Sequence, residues 1–264
     1  MGAADLDPSS LERVAGWLLA ARRVLVITGA GVSADSGLPT YRGIGGLYED
    51  SATEDGMPIE EALSGPMLRR RPELTWRHIA AVERACRGAR PNRAHQVLAA
   101  LEQRLPALWV LTQNVDGLHR AAGTRKLIEI HGTVHDLVCT GCGARRRVPD
   151  FDGLSIPPHC PQCDALVRPD VVLFGEWLPP AAYQQLELES ARGFDLVISA
   201  GTTSGFPYIA APVLAARRAG HPTVEINPGD TEVSAACTVR LRSGAAAAFD
   251  ALWSLVEARL PAPG

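Results

Sequence analysis

The segment VLVITGAGVSADSG, residues 24–37, begins as a short apolar strand and ends in a glycine-rich turn. Residues Gly29 to Ala34 fit the pattern G-x-G-x-x-A, which joins a strand to a helix in dinucleotide-binding folds. In that setting Gly29 permits the tight turn, and Gly31 lets backbone N–H groups approach a pyrophosphate at the helix N-terminus. The glycines alone fit equally well a tight strand-to-helix turn that holds no ligand.

The residues after this turn do not continue as they do in a dehydrogenase. A hydride-transferring Rossmann domain returns as a second strand that ends, roughly 20 residues on, in an acidic residue for the adenosine ribose. Here residues 38–46, LPTYRGIGG, contain no apolar strand, and Glu49 and Asp50 follow outside any strand pattern. Glu225-Ile226-Asn227, at the end of a late strand, is the other candidate for the ribose. A nucleotide is therefore expected in a different arrangement.

Apolar strand-like runs alternate with helical patterns along most of the chain. The runs that predict strands are residues 24–28, 107–112, 127–130, 171–174, 194–200 and 223–226. Helical periodicity predicts helices at residues 9–21, 59–63, 73–85, 93–104, 180–191, 209–219 and 245–260. This alternation predicts an α/β fold with a mostly parallel, Rossmann-like sheet that is covered on both faces.

The composition is that of an ordinary globular protein. The chain has 264 residues, of which 46% are apolar and 21% charged, and its net charge is −3. Basic residues are scattered apart from arginine triplets at 69–71 and 145–147, which argues against nucleic acid as the main partner. No run reaches the roughly 18 apolar residues of a membrane span, and the N-terminus has no signal-peptide pattern. We therefore expect a cytoplasmic protein that does not enter a membrane.

Four of the six cysteines form two closely spaced pairs. Seventeen residues separate Cys139-x-x-Cys142 from Cys160-x-x-Cys163, which is the spacing of four-cysteine zinc sites. Four thiolates complete a tetrahedron and leave no position for substrate, so the predicted zinc is structural. The alternatives are weaker, because a redox-active C-x-x-C needs only one pair and a nucleic-acid-binding ribbon would rest on the triplet 145–147 alone.

Several motifs follow one another in a distinctive order. They are TGAGVSADSGLPTYRG (28–43), LTQNVDGLH (111–119), IEIHGTV (128–134), the two cysteine pairs, RPDVVLFGEWLP (168–179), SAGTTSG (199–205) and VEINPG (224–229). In this order the chain resembles the sirtuins, the NAD-dependent protein lysine deacylases. The resemblance extends from about residue 24 to residue 256.

The resemblance implies two domains with the substrates bound between them. A Rossmann-like NAD-binding domain would comprise residues 1–46, 89–136 and 166–264. A small domain would combine a helical insertion at 47–88 with the zinc module at 137–165.

The reaction that the resemblance implies is not redox. Sirtuins cleave the bond between nicotinamide and ribose in NAD and transfer the acyl group of an acyl-lysine protein to the ribose, releasing nicotinamide, lysine and O-acyl-ADP-ribose. NAD is thus implied as a co-substrate, together with one structural zinc ion and acylated protein partners. The base is assigned to His131, because an imidazole titrates near neutrality and can take a proton from a ribose hydroxyl. Without the flanking motifs, His131 would more readily be a hydrogen-bonded histidine at a strand end.

The nicotinamide end of NAD is assigned to the QNVD segment and its neighbours. Gln113 and Asn114 match a polar pair beside the nicotinamide ribose, with Asn114 also in the catalytic group, and Asp116 matches a carboxylate that engages the carboxamide. The same segment is typical of an Asx-capped helix start, and Asp116 can serve in both ways. The apolar wall of the pocket is expected to comprise Ala30, Leu38 and Val115.

The phosphates and the adenosine are assigned to three segments. Arg42 would face the phosphates through charge-assisted hydrogen bonds, and Tyr41 replaces a phenylalanine that shields the reactive ribose carbon. Thr203 replaces a serine in the phosphate turn, and residues 204–209 after it depart from the family pattern on the adenosine side. The other residues implied for NAD are Gly29, Gly31, Ser33, Gly201, Thr202 and Asn227.

The substrate protein is assigned to two further segments. Phe174, Gly175 and Glu176 look like the family's FGE strand, which receives the substrate peptide by backbone pairing. The alternative is a core strand that ends in a turn. Ile79 and Val82 stand where desuccinylase-like members carry a tyrosine and an arginine, and an apolar pair cannot compensate a buried carboxylate. Neutral acyl groups are therefore expected.

Two other functions remain open at the level of sequence. One is a protein ADP-ribosyltransferase of the same fold. The other is a non-catalytic module that senses NAD, against which the intact set His131, Gln113, Asn114 and Asp116 argues, because a sensor needs no base.

Overall fold

The computed structural model describes residues 6–39 and 56–261. Its strands are β1 (Arg23–Thr28), β2 (Ala107–Thr112), β3 (Leu127–Glu129), β4 (Gly132–Cys139), β5 (Arg145–Arg147), β6 (Val167–Val171), β7 (Leu196–Ala200), β8 (Thr223–Ile226) and β9 (Val239–Leu241). Its α-helices are α1 (Pro8–Ala20), α2 (Ala30–Ser33), α3 (Ile59–Ala62), α4 (Gly65–Arg70), α5 (Pro72–Cys86), α6 (Arg93–Arg104), α7 (Leu118–Ala121), α8 (Pro180–Ala191), α9 (Pro207–Arg218) and α10 (Ala245–Val256). Of the helices described, none has the length and apolarity needed to cross a membrane.

The main sheet is parallel throughout. In the described part of the chain it has six strands in the order β3-β2-β1-β7-β8-β9. Thr28, the last residue of β1, pairs with Thr112 of β2 on one side and with Ala200 of β7 on the other. The carboxyl ends of the three central strands therefore meet at one edge. The predicted α/β, Rossmann-like sheet is confirmed.

Alternate residues of β1 face two separate apolar cores. Val24 and Val26 pack in the core that includes α1, α6 and α10, whereas Leu25 and Ile27 pack in the core that includes α8 and α9. All four side chains are fully buried, and burial contributes about 1.5–3 kcal/mol for each side chain of this size. Helices on both faces explain why β1 is a continuous apolar run instead of an alternating one. The strand is thereby fixed at the centre of the sheet, with the glycine turn at its end.

A second, antiparallel sheet carries the cysteine pairs. Within the described residues it has three strands in the order β5-β4-β6. Helix α5 packs on it through Trp76, whose indole N–H donates to the backbone carbonyl of Val167 at 3.0 Å and whose ring centroid lies 5.4 Å from that of Phe151. Leu68 of α4 and the buried Cys160 belong to the same apolar cluster. The helical insertion and the cysteine module therefore share one core.

The predicted strand at 171–174 is wrong as a member of the parallel sheet. The strand at this position, β6, begins four residues earlier and pairs with β4 in the small sheet, while residues 172–174 leave it. In β6 the buried residues are Val167 and Pro169, and they alternate with the half-buried Arg168 and Asp170. Two charged residues and a proline hide that alternation, whereas the apolar run VVLF suggests a strand that the chain does not form. Strands β4, β5 and β9 were not predicted.

Candidate active site

Most of the described residues that were predicted for NAD and for catalysis lie where the carboxyl ends of β1, β2 and β7 meet. The chain leaves β1 toward β2 on one side, and β7 lies on the other side. Loops that diverge in this way open a crevice, where doubly wound sheets bind their ligands. The turn after β1, the QNVD segment after β2 and the GTTSG turn after β7 all lie at this crevice.

The glycine turn after β1 packs directly against the turn after β7. The N–H of Gly31 donates to the carbonyl of Gly201 at 2.8 Å. A Cβ on Gly31 would lie 2.8 Å from the Cα of Gly201, and a Cβ on Gly29 would lie 2.7 Å from the Cβ of Thr202. In this structure the glycines thus permit two loops to touch, and the Gly31 N–H that was predicted for a pyrophosphate is bonded to protein. The helix that follows, α2, has only four residues.

Replacing Gly201 by alanine is expected to destabilise this contact. Gly201 has φ +58°, and a Cβ there would lie 2.6 Å from the carbonyl carbon of Gly31. A left-handed non-glycine residue costs roughly 1–2 kcal/mol before the clash is counted, so urea unfolding should show a loss of more than about 2 kcal/mol. Gly205→Ala is the matched control, because its Cβ would meet Thr203 Oγ1 at an ordinary 3.6 Å. Equal stability of the two variants would contradict the steric argument.

A chain of hydrogen bonds joins the glycine turn to the QNVD segment. The side-chain amide of Asn114 donates to the carbonyl of Gly29 at 3.0 Å and to Ser33 Oγ at 3.1 Å. Ser33 Oγ in turn donates to Asp116 Oδ2 at 2.7 Å, while Asp116 Oδ1 accepts the N–H of Leu118 at 2.9 Å. Asp116 therefore caps the start of α7 with one oxygen and faces the polar cluster with the other. The capping contact of Asp116 is thus present, and its contact with the carboxamide of NAD stays a prediction.

A small cavity lies next to this cluster. Its lining combines apolar and polar residues and comprises Ala30, Ser33, Leu38, Pro39, Asn114, Val115 and Asp116. The structure thus brings together the three predicted wall residues and three of the predicted polar residues, Ser33, Asn114 and Asp116. They come from two loops separated by some seventy residues of chain.

The turn after β7 is held from two directions. Gln113 donates its side-chain N–H to Thr202 Oγ1 at 2.8 Å, and Asn227 donates its side-chain N–H to the carbonyl of Thr202 at 3.1 Å. Thr203 is exposed and borders a wide open pocket that Asp230 and other residues of the segment 230–240 line. Side chains after β2 and β8 are therefore both hydrogen-bonded to the turn after β7.

Glu225, the predicted alternative for a ribose, is engaged elsewhere. Its side chain is 1% exposed, and Oε2 accepts from Arg240 Nε at 2.6 Å and from Ser234 Oγ at 2.8 Å. Thr231 also donates to this carboxylate. A carboxylate that is buried among these donors does not reach the crevice. Of the segment 225–227, it is Asn227 that contributes to the site.

His131 follows β3 and enters the crevice with both ring nitrogens hydrogen-bonded. Nδ1 lies 3.1 Å from the carbonyl of Gln113, and Nε2 lies 2.7 Å from the hydroxyl of Tyr208. A carbonyl only accepts, so Nδ1 carries the proton, and Nε2 of the neutral ring accepts from the tyrosine. Burial lowers the pKa of His131, against the opposing effect of the Gln113 carbonyl. The imidazole is therefore neutral at pH 7 and can act as a base.

Sequence reasoning missed three side chains at this crevice. Tyr208 lies in the segment 204–209, which was noted only for its departure from the family pattern. His119 Nε2 lies 2.9 Å from Thr28 Oγ1, and its ring centroid is 4.7 Å from that of the buried His95. Burial lowers the pKa of His119 to about 3, so this pair remains uncharged. His119 stands inside the LTQNVDGLH motif, but the motif does not indicate that its ring is buried and uncharged.

The FGE segment is tied to the helical insertion. The N–H of Phe174 donates to the carbonyl of Leu63 at 2.9 Å, and its carbonyl accepts the N–H of Gly65 at 3.0 Å. Glu176 accepts from Arg168 Nη2 at 2.8 Å and from the N–H of Leu173 at 2.9 Å. A substrate strand would thus have to pair with backbone groups beyond Phe174.

The four predicted cysteine ligands come together at one point. All four Sγ atoms lie within 4.8 Å of one another, with 3.5 Å between Cys139 and Cys163 and 3.7 Å between Cys142 and Cys160. A tetrahedral zinc with Zn–S bonds of about 2.3 Å requires sulfur atoms about 3.8 Å apart, so the set fits zinc. The N–H of Gly141 also points at Cys139 Sγ, at 3.3 Å, as expected beside a thiolate.

Tyr41 and Arg42, which were predicted for NAD, lie outside the described residues.

The fold and this crevice define a class of protein: a Rossmann-like α/β domain with an inserted four-cysteine module. The Sir2 family model matches residues 29–206. The chain is 51% identical over 241 residues to the NAD-dependent protein deacylase 2 of Pseudomonas aeruginosa, covering 88% of this chain and 92% of that protein. It is 53% identical over 237 residues to the NAD-dependent protein deacylase 2 of Pseudomonas syringae pv. tomato, covering 89% and 95%.

Solved structures agree with these relatives. A mutant Sir2 homologue in complex with ADP ribose superposes with a TM-score of 0.84 at 33% identity, covering 94% of this chain and 97% of that one. A Sir2 homologue in complex with NAD gives a TM-score of 0.83 at 31% identity, covering 94% of both chains. The chain belongs to the Sir2 family, the sirtuins, as its motifs had indicated.

Proposed function

We propose that this protein is an NAD-dependent protein lysine deacylase. The observation that carries the proposal is the half-buried, neutral His131 at the crevice of a Sir2-family fold. Its ring is hydrogen-bonded to Gln113, and the next residue, Asn114, lines the small cavity together with Asp116. Relatives that are more than half identical carry the name NAD-dependent protein deacylase, and related solved structures contain NAD, ADP ribose or a peptide from p53 with NAD.

NAD would extend along the crevice from the small cavity to the open pocket. The nicotinamide would enter the cavity, with its ring on Ala30, Leu38 and Val115 and its carboxamide toward Asp116. Each polar wall group gains selectivity, because a ligand without the matching partner leaves it unpaired in a buried place. The phosphates would cross the Thr202 turn, and the adenosine would lie beyond Thr203 and Asn227.

NAD supplies the scissile bond from nicotinamide to ribose. The protein's own part is to hold the ring in place, to exclude water and to move one proton. Nε2 of His131 would take a proton from a ribose hydroxyl. Nδ1 cannot, because it already holds a proton and donates a hydrogen bond to the carbonyl of Gln113. General base catalysis of this kind contributes typically about 10²–10⁴ in rate.

Zinc would be held by Cys139, Cys142, Cys160 and Cys163. Four thiolates leave no open coordination position, so the ion would organise the small sheet and would take no part in the reaction. We also propose the two-domain division given by the sequence, in which residues 47–88 and 137–165 form the small domain. Strand β4 crosses the limit at residue 137, and its partner β6 begins two residues after the limit at 165, so this pair connects the small domain to the large one. The cytoplasmic location stays a prediction.

A panel of acyl-lysine peptides tests the activity and its acyl preference together. Ile79 and Val82 are buried and apolar in α5, so neither position offers a cation to an acidic acyl group. Because an unpaired carboxylate is costly to bury, kcat/KM for an acetyl-lysine peptide should exceed that for its succinyl twin by more than about tenfold. Mass spectrometry would identify O-acyl-ADP-ribose as the product. Faster turnover of the succinyl peptide would overturn the preference, and label transferred from NAD to protein would indicate ADP-ribosyl transfer instead.

A further inference from the structure

Tyr208 makes a contact that the proposed reaction does not require. Its hydroxyl lies 2.7 Å from Nε2 of His131, and it is the second residue of α9. The ring stacks on Phe206 at a centroid distance of 5.4 Å, and Phe206 in turn meets the edge of His131 at 5.8 Å. These aromatic residues belong to the segment 204–209 that departs from the family pattern. The contact is thus made by a segment in which this chain departs from the family's motifs.

The nitrogen that Tyr208 occupies is the one that the reaction needs. In the neutral ring the Nδ1 proton is donated to the Gln113 carbonyl, so the only in-plane lone pair is on Nε2. The Tyr208 hydroxyl donates to that lone pair. Burial raises the pKa of Tyr208 to about 12, so the phenol keeps its proton and remains a donor. A ribose hydroxyl that gives its proton to His131 must therefore take the same position.

We propose that Tyr208 is a positioning residue that holds the place of the reacting ribose hydroxyl on His131 and leaves it when the nucleotide binds. The proposal rests on the proposed function, because it takes His131 as the base. In the free protein the tyrosine satisfies Nε2 and keeps the ring in the tautomer that can accept a proton. On reaction the ribose O–H bond breaks, its electron pair stays on the ribose oxygen, and the proton forms an N–H bond at Nε2. Tyr208 keeps its own proton throughout.

Tyr208 packs against the edge of the core that includes α8 and α9 and is not part of its buried interior. The side chain is half-buried, and the Phe206 ring stacked on it is 42% exposed. The neighbouring Ile209 and Val213, in contrast, are fully buried in the core and anchor α9 against the sheet. The ring can thus swing away while the helix stays in place.

Replacing Tyr208 by phenylalanine removes the competing hydroxyl and keeps the ring. ADP-ribose serves as an unreactive probe that carries the same ribose. Its dissociation constant should fall by about threefold to tenfold, which corresponds to the free energy of one hydrogen bond. KM for NAD should fall with it, while kcat should stay within about twofold. In nucleotide-free protein labelled with ¹⁵N-histidine, the His131 Nε2 resonance should shift in this variant, and ADP-ribose should shift the same resonance in the wild type. Tyr183→Phe, on the surface of α8, is the matched control and should change none of these quantities.

Two results would overturn the proposal. A fall in kcat of tenfold with unchanged KM would mean that the hydroxyl takes part in proton transfer instead of holding a place. An Nε2 resonance that is the same in wild type and in Tyr208→Phe would mean that the contact does not exist in solution. If the wild type yields no deacylated peptide, the proposed function is wrong. The proposal for Tyr208 is tested separately, because ADP-ribose binding and the NMR resonance of His131 Nε2 do not depend on turnover.

Discussion

Replacing His131 by alanine should lower kcat/KM for deacylation by about 10²–10⁴-fold, the typical contribution of a positioned general base. The expectation follows from the state of the ring. Burial lowers the pKa of His131, and its Nδ1 proton is donated to the Gln113 carbonyl, so Nε2 is a neutral acceptor at pH 7. An alanine removes that acceptor, and the neighbouring Tyr208 hydroxyl keeps its own proton and is a far weaker base, so water would have to take the proton.

Binding measurements separate this effect from damage to the site. ADP-ribose should bind the His131→Ala variant within about threefold of the wild type, because binding to the wild type exchanges the Tyr208 hydrogen bond on Nε2 for one from the ribose, and the variant makes neither bond. His221→Ala is the matched control, since His221 is exposed after the end of α9. Activity of His131→Ala within tenfold of the wild type would show that another group serves as the base.

The sequence was sufficient for the elements that local pattern decides. Strand β1 is a continuous apolar run because both of its faces are buried, and α6 and β2 have the bounds that their periodicity predicts. The cysteine spacing likewise predicted four sulfur atoms at one point, because each pair needs only a local turn.

Contacts between distant segments were beyond sequence reasoning. Gly31 and Gly201 are 170 residues apart, so nothing near Gly31 indicates that its N–H is bonded to a carbonyl of the opposite loop. Glu225 lies near the end of a predicted strand, as a ribose ligand should. Its carboxylate is instead hydrogen-bonded to Arg240, which belongs to the next strand. Tyr208 reaches His131 for the same reason: β3 and the start of α9 become neighbours only in the folded sheet.

Replacing Cys160 by serine should abolish the zinc binding that we propose and unfold the small module. Cys160 is buried in the apolar cluster that α5 and the three-stranded sheet share, so the metal site and that core depend on each other. Loss of a structural metal belongs among the largest effects of single substitutions, and we expect more than about 4 kcal/mol. Zinc content per chain and urea unfolding measure the two parts of the effect.

The control and the pattern of the loss make this test specific. Cys237→Ser changes a half-buried cysteine near β9, outside the four-sulfur cluster, and should keep one zinc ion per chain. Hydrogen exchange in Cys160→Ser should increase in β4, β5, β6 and α5, which share the cluster, while β1 and β7 in the parallel sheet stay protected. A variant that retains zinc and full stability would show that three thiolates suffice. Hydrogen exchange that increases equally in both sheets would show that the module and the large sheet unfold as one cooperative unit.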